Sequence, residues 1–194
     1  MSLIQMRAWR SFLVVAGVIV AAVGFLPFLA GRDPIATLAR QLEDADPEVR
    51  YRAAKQLEEL GPGAGQAIDE LAASLADGEQ RVRYRSAKAL SRMGDLAAAA
   101  VPALADGLKD PDRDVRYYCA KSLYKVGAAA EPAKEAVVAA LGDEDSGIQR
   151  YLLKTLKEIG EGDEACMTAV EKFLNDPDPE IREVANDALE DMRD

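Results

Sequence analysis

The chain has 194 residues, with 24 basic and 34 acidic side chains and a formal net charge of −10, a length that suits one domain or one domain with an appendage. It has no histidine, which removes the commonest general base and metal ligand, and its two cysteines, Cys119 and Cys166, are too few for a disulfide framework or a zinc site. Among the first 32 residues only Arg7, Arg10 and Arg32 are charged; the rest is strongly acidic and would repel a phosphate backbone, so no nucleic-acid partner is expected, and no cofactor either.

Residues 1–10 form a short basic tail. From Ser11 to Gly31 no side chain is charged. A helix of that length would span roughly 31 Å, about the thickness of a hydrocarbon core, with Trp9 at one end, where an indole suits the interface. A transmembrane anchor over 11–31 is the favoured reading. A cleaved signal peptide is the alternative, because Ala22-Val23-Gly24 offers small residues to a peptidase. The apolar run continues past that point to Ala30, and a cut after Ala30 would place bulky Phe28 at −3. A short tail carrying Arg7 and Arg10 favours a single-pass membrane protein with its main domain outside the cytoplasm. Cleavage would instead give a secreted one.

The remainder repeats with a period of 33 residues. The step carries Leu57 to Leu90, Leu123, Leu156 and Leu189, and Gly61 to Gly94, Gly127 and Gly160. It also carries Leu42 through Leu75, Leu108 and Leu141 to Leu174. So many columns in one register, without insertions, identify a repeat architecture. Each unit reads as two helices. In the second unit the first helix is expected over Gln66–Ala76 and the second over Gln80–Met93, where Val82, Ser86, Leu90 and Met93 share a face. Gly94 then suits a left-handed C-terminal position. Asp46, Glu79, Asp112, Asp145 and Asp178 stand where N-caps belong, and Pro34, Pro102 and Pro132 fall near the starts of first helices. One pair cannot bury its own apolar face, but stacked pairs can. The expected fold is all-α: an α-solenoid of about five helix pairs (34–61, 66–94, 99–127, 131–160 and 163–194), preceded by one hydrophobic N-terminal helix. Glu183, Asp187 and Glu190 give the last pair the polar face of a cap.

The segments Asp110-Pro111-Asp112-Arg113-Asp114-Val115-Arg116 and Asp176-Pro177-Asp178-Pro179-Glu180-Ile181-Arg182 resemble the core signature of HEAT repeats, in the form named after phycobilisome lyases. The resemblance covers about 34–194. It implies a ladder of hydrogen bonds between repeats, with Asp44, Asp77, Asp110, Asp143 and Asp176 pairing with Arg50, Arg83, Arg116 and Arg182. Repeat four departs from the pattern. Gln149 replaces the arginine and Gly147 sits in the first turn of its second helix, where glycine costs about 1 kcal/mol. That makes it the softest internal joint. The resemblance also places the second helices on the concave surface.

On those helices, taking about 100° per residue, Ala53, Leu57 and Leu60 point one way and Tyr51, Arg52 and Lys55 the other. The Tyr51 column continues as Tyr84, Tyr117 and Arg150, the Arg52 column as Arg85, Tyr118 and Tyr151, and the Lys55 column as Lys88, Lys121 and Lys154. Tyr124 adds a ring. Tyrosine and arginine favour binding hot spots, so these twelve columnar residues are the candidate partner-binding face, suited to an acidic peptide or protein surface, or alternatively to anionic lipid head groups or a polyanionic glycan. The plainer reading is a habit of the repeat, with lysines there for solubility. Cys119 and Cys166 occupy columns of small core residues two repeats apart, too far to bridge. The acid pairs Glu58-Glu59 and Glu190-Asp191 read as solvated faces rather than catalysis. A membrane-tethered, non-catalytic scaffold is therefore expected. The alternatives are a bilin-lyase-like enzyme or subunit, suggested by the repeat's name alone, and an exported structural assembly protein.

Overall fold

The computed structural model describes residues 33–193, and every regular element in them is helical. The anchor or signal segment expected at 11–31 lies outside the described residues. Among those residues no helix is long and apolar enough to cross a membrane. Among the described residues, ten α-helices form five pairs. The first helices are α1 (Pro34–Gln41), α3 (Ile68–Ala73), α5 (Val101–Gly107), α7 (Lys134–Ala140) and α9 (Glu164–Glu171). The second helices are α2 (Pro47–Leu60), α4 (Gln80–Met93), α6 (Arg113–Val126), α8 (Ser146–Ile159) and α10 (Pro179–Arg193). Consecutive second helices pack directly on one another, so the chain is an α-solenoid.

Each second helix starts where an acid can hold its first amides. Asp46, Asp112 and Asp145 accept from backbone N–H groups of the first turn, and Asp178 accepts from Glu180. Glu79, one methylene longer, makes no such bond. The other ends require glycine: Gly61, Gly94 and Gly127 have φ of 55°, 65° and 69°. With ψ of −130°, Gly94 is not left-handed helical but in the mirror-β region, which glycine alone enters freely. The chain then winds through 3-10 turns at Gly61–Ala67, Gly94–Ala100 and Gly127–Ala133. These turns shorten the first helices. Where one helix was expected over Gln66–Ala76, six α-helical residues lie between two 3-10 turns.

The last junction differs. Gly160 keeps φ at −105°, and a Cβ there would lie 2.6 Å from Met192 Cε and 2.7 Å from the Leu156 carbonyl. Positive φ passes to Gly162, whose N–H donates to the Met192 carbonyl. Here glycine serves close packing against α10 rather than the turn.

The core runs along the stack. Leu57, Leu90, Leu123, Leu156 and Leu189 are all buried, each stabilising by about 1.5–3 kcal/mol. Cys119 lies fully buried in the column of Ala53, Ser86, Leu152 and Ala185, and Cys166 in that of Ala67, Ala100 and Ala133; both thiols are free. Leu60, expected on the buried side, is 49% exposed, whereas Met93, Val126 and Ile159 in its column are buried. It belongs to the first pair, which has no earlier repeat beside it among the described residues.

Arginine–aspartate clamps join the repeats. Arg50 donates from Nε to Asp77 at 2.6 Å and from Nη2 at 2.9 Å. Arg83 meets Asp110 at 2.6 and 3.1 Å, and Arg116 meets Asp143 at 2.6 and 3.4 Å. The third nitrogen of each guanidinium donates to carbonyls of its own turn. Burial would raise the Asp77 and Asp143 pKa values, but the guanidinium and a backbone amide hold both below the ordinary 3.8. At repeat four Gln149 reaches only the Asp143 and Leu141 carbonyls. Asp176 caps its own turn, Asp44 does the same, and Arg182 binds only carbonyls of its own turn. Among the described residues the ladder thus has three rungs, and the junction between repeats four and five has none.

Hydrogen exchange should therefore be faster in α9 and α10 than in α4 and α6. Gln149→Arg, which offers Asp176 the missing partner, should slow it and add about 0.5–1 kcal/mol, after screening of a partly exposed pair. A second prediction concerns Gly107, where a Cβ would sit 2.5 Å from Cys119 Sγ. Gly107→Ala should cost about 1–3 kcal/mol. Adding Cys119→Ala should restore most of it, measured as non-additivity in denaturant melts.

Candidate functional site

A second helix of fourteen residues held in a 33-residue register sets like positions of neighbouring helices side by side. The Tyr51 and Arg52 columns are adjacent on each helix, so rings from successive helices meet. Tyr84 and Tyr118 have centroids 5.5 Å apart, Tyr118 and Tyr117 5.3 Å, and Tyr117 and Tyr151 5.4 Å, all edge to face. Tyr124 continues the series, 5.8 Å from Tyr151. Edge-to-face pairs contribute about 0.5–1.5 kcal/mol beyond area burial. Tyr51 stands off this run and joins it through Arg85, whose guanidinium lies 5.6 Å from the Tyr51 ring and 5.4 Å from Tyr84. The Tyr117 phenol is held above its usual pKa by its hydrogen bond to Tyr151 and by burial. Burial raises Tyr118 as well, against the opposing charge of Lys88. Both remain neutral donors at physiological pH.

The cations of the stripe are not equivalent. Arg52 points to Glu48 at 3.1 Å and is well exposed. Lys55 makes only a 4.0 Å approach to Glu59. Neither joins the aromatic run. Arg150 pairs with Glu180 at 2.6 Å. Arg85 and Lys88 converge on Glu58, at 2.7 and 3.2 Å, and Arg92 approaches it at 3.7 Å. Lys121 lies over three rings, 5.9 Å from Tyr117, 5.9 Å from Tyr118 and 5.8 Å from Tyr151. Lys154 lies 5.8 Å from Tyr124. Lys125 donates to the Ser91 carbonyl at 2.9 Å, and burial, with Lys121 and Arg92 nearby, pushes its pKa down. Among the described residues, none of these three lysines has a carboxylate within salt-bridge distance.

Glu58 corrects the reading of Glu58-Glu59 as a solvated pair: Glu58 is only 4% exposed. Its partners come from the next repeat, which a scan of its own helix does not bring into view. Its column, Glu58, Ser91, Tyr124 and Lys157, shares no chemistry that would mark it. Arg81 and Arg113 were also outside the expected set, yet each lies 5.0 Å from a ring, Tyr51 and Tyr117 respectively. Arg81 precedes Val82 by one position and Arg113 precedes Val115 by two, places that hold different residue types in other repeats.

The family model described as HEAT repeats matches residues 35–124 and 101–190, more than half of the chain. Among solved structures, the chain is similar to a crystallised engineered protein, at 22% identity and a TM-score of 0.68 over 83% of this chain and 80% of that one. It is similar to a designed armadillo repeat protein in complex with the peptide (KR)4, at 17% identity and a TM-score of 0.70, with 82% of each chain covered. It is also similar to the CpcE–CpcF complex of phycocyanin lyase from Nostoc sp. PCC7120, at 24% identity and a TM-score of 0.65 over 87% of this chain and 68% of that one. At these identities the likeness is one of fold. No curated protein matches the chain.

Burial alone would raise the Glu58 pKa, but hydrogen bonds from Arg85 and Lys88 outweigh it and hold the group below the ordinary 4.5. A depressed carboxylate stabilises the fold fully above its unfolded pKa and loses that contribution as pH falls through the folded value. Glu58→Ala should therefore cost about 2 kcal/mol at pH 7. The gap from wild type should close below the ordinary glutamate value, as read from urea melts at several pH values.

Proposed function

Since the chain belongs to the HEAT-repeat family, we propose that it is a membrane-tethered, non-catalytic scaffold whose second-helix face, on the concave side of the solenoid, holds an acidic segment of a protein partner. One observation carries the reading. In a chain of net charge −10, Lys121 and Lys154 face a continuous run of tyrosine rings, and neither they nor Lys125 has a carboxylate partner among the described residues. Tyrosine supplies broad apolar contact at low entropy cost, and lysine supplies charge that an acidic segment complements.

The tether rests on the 21 uncharged residues from Ser11 to Gly31, and the extracytoplasmic side on Arg7 and Arg10 ahead of them. Absence of catalysis accords with a chain lacking histidine and with the state of its thiols. Cys119 is fully buried with its pKa raised by desolvation, and burial pushes Cys166 up to about 11. Neither is an available nucleophile. Two of the similar structures hold a polypeptide partner, the peptide (KR)4 in one and the CpcE–CpcF pair in the other. The first of those ligands is basic; the lysines here call for the opposite charge.

The full chain, solubilised in mild detergent, should retain a partner from a membrane extract. A Tyr84/Lys88/Tyr117/Lys121→Ala variant with unchanged helicity and melting temperature should lose it. Equal recovery by both would reject the second-helix face as the binding site.

A further inference from the structure

The lysine column is uniform in sequence and uneven in structure. Lys88 is held by Glu58 at 3.2 Å. That carboxylate also takes the Arg85 guanidinium at 2.7 Å, so the N-terminal half of the stripe already contains its own acid. The next two members of the column, Lys121 and Lys154, face rings instead, and Lys125 adds a third ammonium. The ring faces keep Lys121 and Lys154 in place, at about 0.5–1 kcal/mol each, and the Ser91 carbonyl holds Lys125, without neutralising them. On the neighbouring helix, the position that carries Glu48, Arg81, Asp114 or Glu180 in other repeats is Gly147. A Cβ there would lie 3.5 Å from the Tyr117 ring, so no side chain of Gly147 covers that ring.

We infer, building on the scaffold reading above, that the partner's acidic segment is anchored at one place, the Lys121, Lys125 and Lys154 cluster on α6 and α8, while Glu58 acts as a built-in competitor that closes the Arg85–Lys88 end. The occupant is an extended peptide with clustered carboxylates. Its acids take charge-assisted hydrogen bonds from the three ammonium groups, and its backbone and apolar stems lie on Tyr117, Tyr151 and Tyr124. Gly147 presents no side chain to the Tyr117 ring, which the Arg113 guanidinium approaches at 5.0 Å instead. Glu58 shows the mode of binding from within: a carboxylate on this face gathers an arginine and a lysine from the next helix at 2.7 and 3.2 Å.

The test uses the full chain in a zwitterionic detergent and a fluorescein-labelled peptide of eight glutamates, with binding followed by anisotropy at low salt. Wild type should bind, and the affinity should fall as salt rises. Lys121→Gln combined with Lys154→Gln should weaken binding at least about tenfold. Lys55→Gln, at an exposed lysine off the ring run, should change it by less than about twofold. Glu58→Gln, which keeps the shape and releases Arg85 and Lys88, should tighten it by about fivefold. Equal losses from Lys55→Gln and the double variant would overturn the single anchor, leaving only diffuse charge. A folded Glu58→Gln chain with unchanged or weaker affinity would overturn the competitor role. If wild type ignores the glutamate peptide, or binds only vesicles of anionic lipid, the anchor is wrong. A partner still recovered in the extract experiment would then leave the scaffold reading standing.

Discussion

Everything in this solenoid depends on how one repeat grips the next, and the grip with direction in it is the arginine–aspartate clamp. The guanidinium fork spends one arm on the carbonyls of its own turn and two on the aspartate of the following turn. That aspartate simultaneously holds the amide two residues on. Turn, helix start and neighbour are therefore fixed by one group. The leucine columns supply more free energy, but apolar burial is non-directional; the clamp sets the angle and offset at which the leucines meet. With the offset fixed, tyrosines one repeat apart fall within ring contact, and the stripe becomes a continuous surface instead of a set of separate side chains.

That dependence explains what could be read from the sequence. A strict 33-residue register gives the same answer at five places, so the second-helix boundary at Gln80–Met93, four of the five capping acids and the core columns of Cys119 and Cys166 were legible. The tyrosine and lysine columns on the outer side of those helices were legible for the same reason. What a column does not reveal is the pairing between columns. Glu58 and Glu59 look alike on one helix. They differ because Arg85, 27 residues away, reaches one of them. Likewise, Lys88 and Lys121 share a column and differ in having or lacking an acid beside them. The glycine column hid two roles, a positive-φ turn at Gly94 and close packing at Gly160. The shortening of the first helices into 3-10 turns was hidden too, because composition scarcely distinguishes the two windings.

The electrostatic design of the face follows from neutralisation rather than from composition. The chain is acidic, yet the stripe is graded. It is self-compensated at Arg85, Lys88 and Glu58, uncompensated at Lys121, Lys125 and Lys154, and closed by acids again where Arg150 meets Glu180 and Lys157 meets Asp191 at 3.0 Å. A long-range field of one sign would attract any counter-charge. A short positive window framed by paired charges would discriminate by length and register as well as sign.

The missing rung at Gln149 bears on cooperativity. In a linear stack each unit touches only its neighbours, so the free energy of the whole is a sum of units and junctions, and all-or-none melting holds only while every junction is strong relative to thermal energy. With one junction lacking its clamp, the docking of the terminal pair rests on apolar packing and on the Arg150–Glu180 and Lys157–Asp191 pairs. Were this junction weaker than the others, the calorimetric enthalpy would exceed the van 't Hoff value and no single melting temperature would describe the molecule. Such a chain would open first by undocking α9 and α10, with the other four pairs intact.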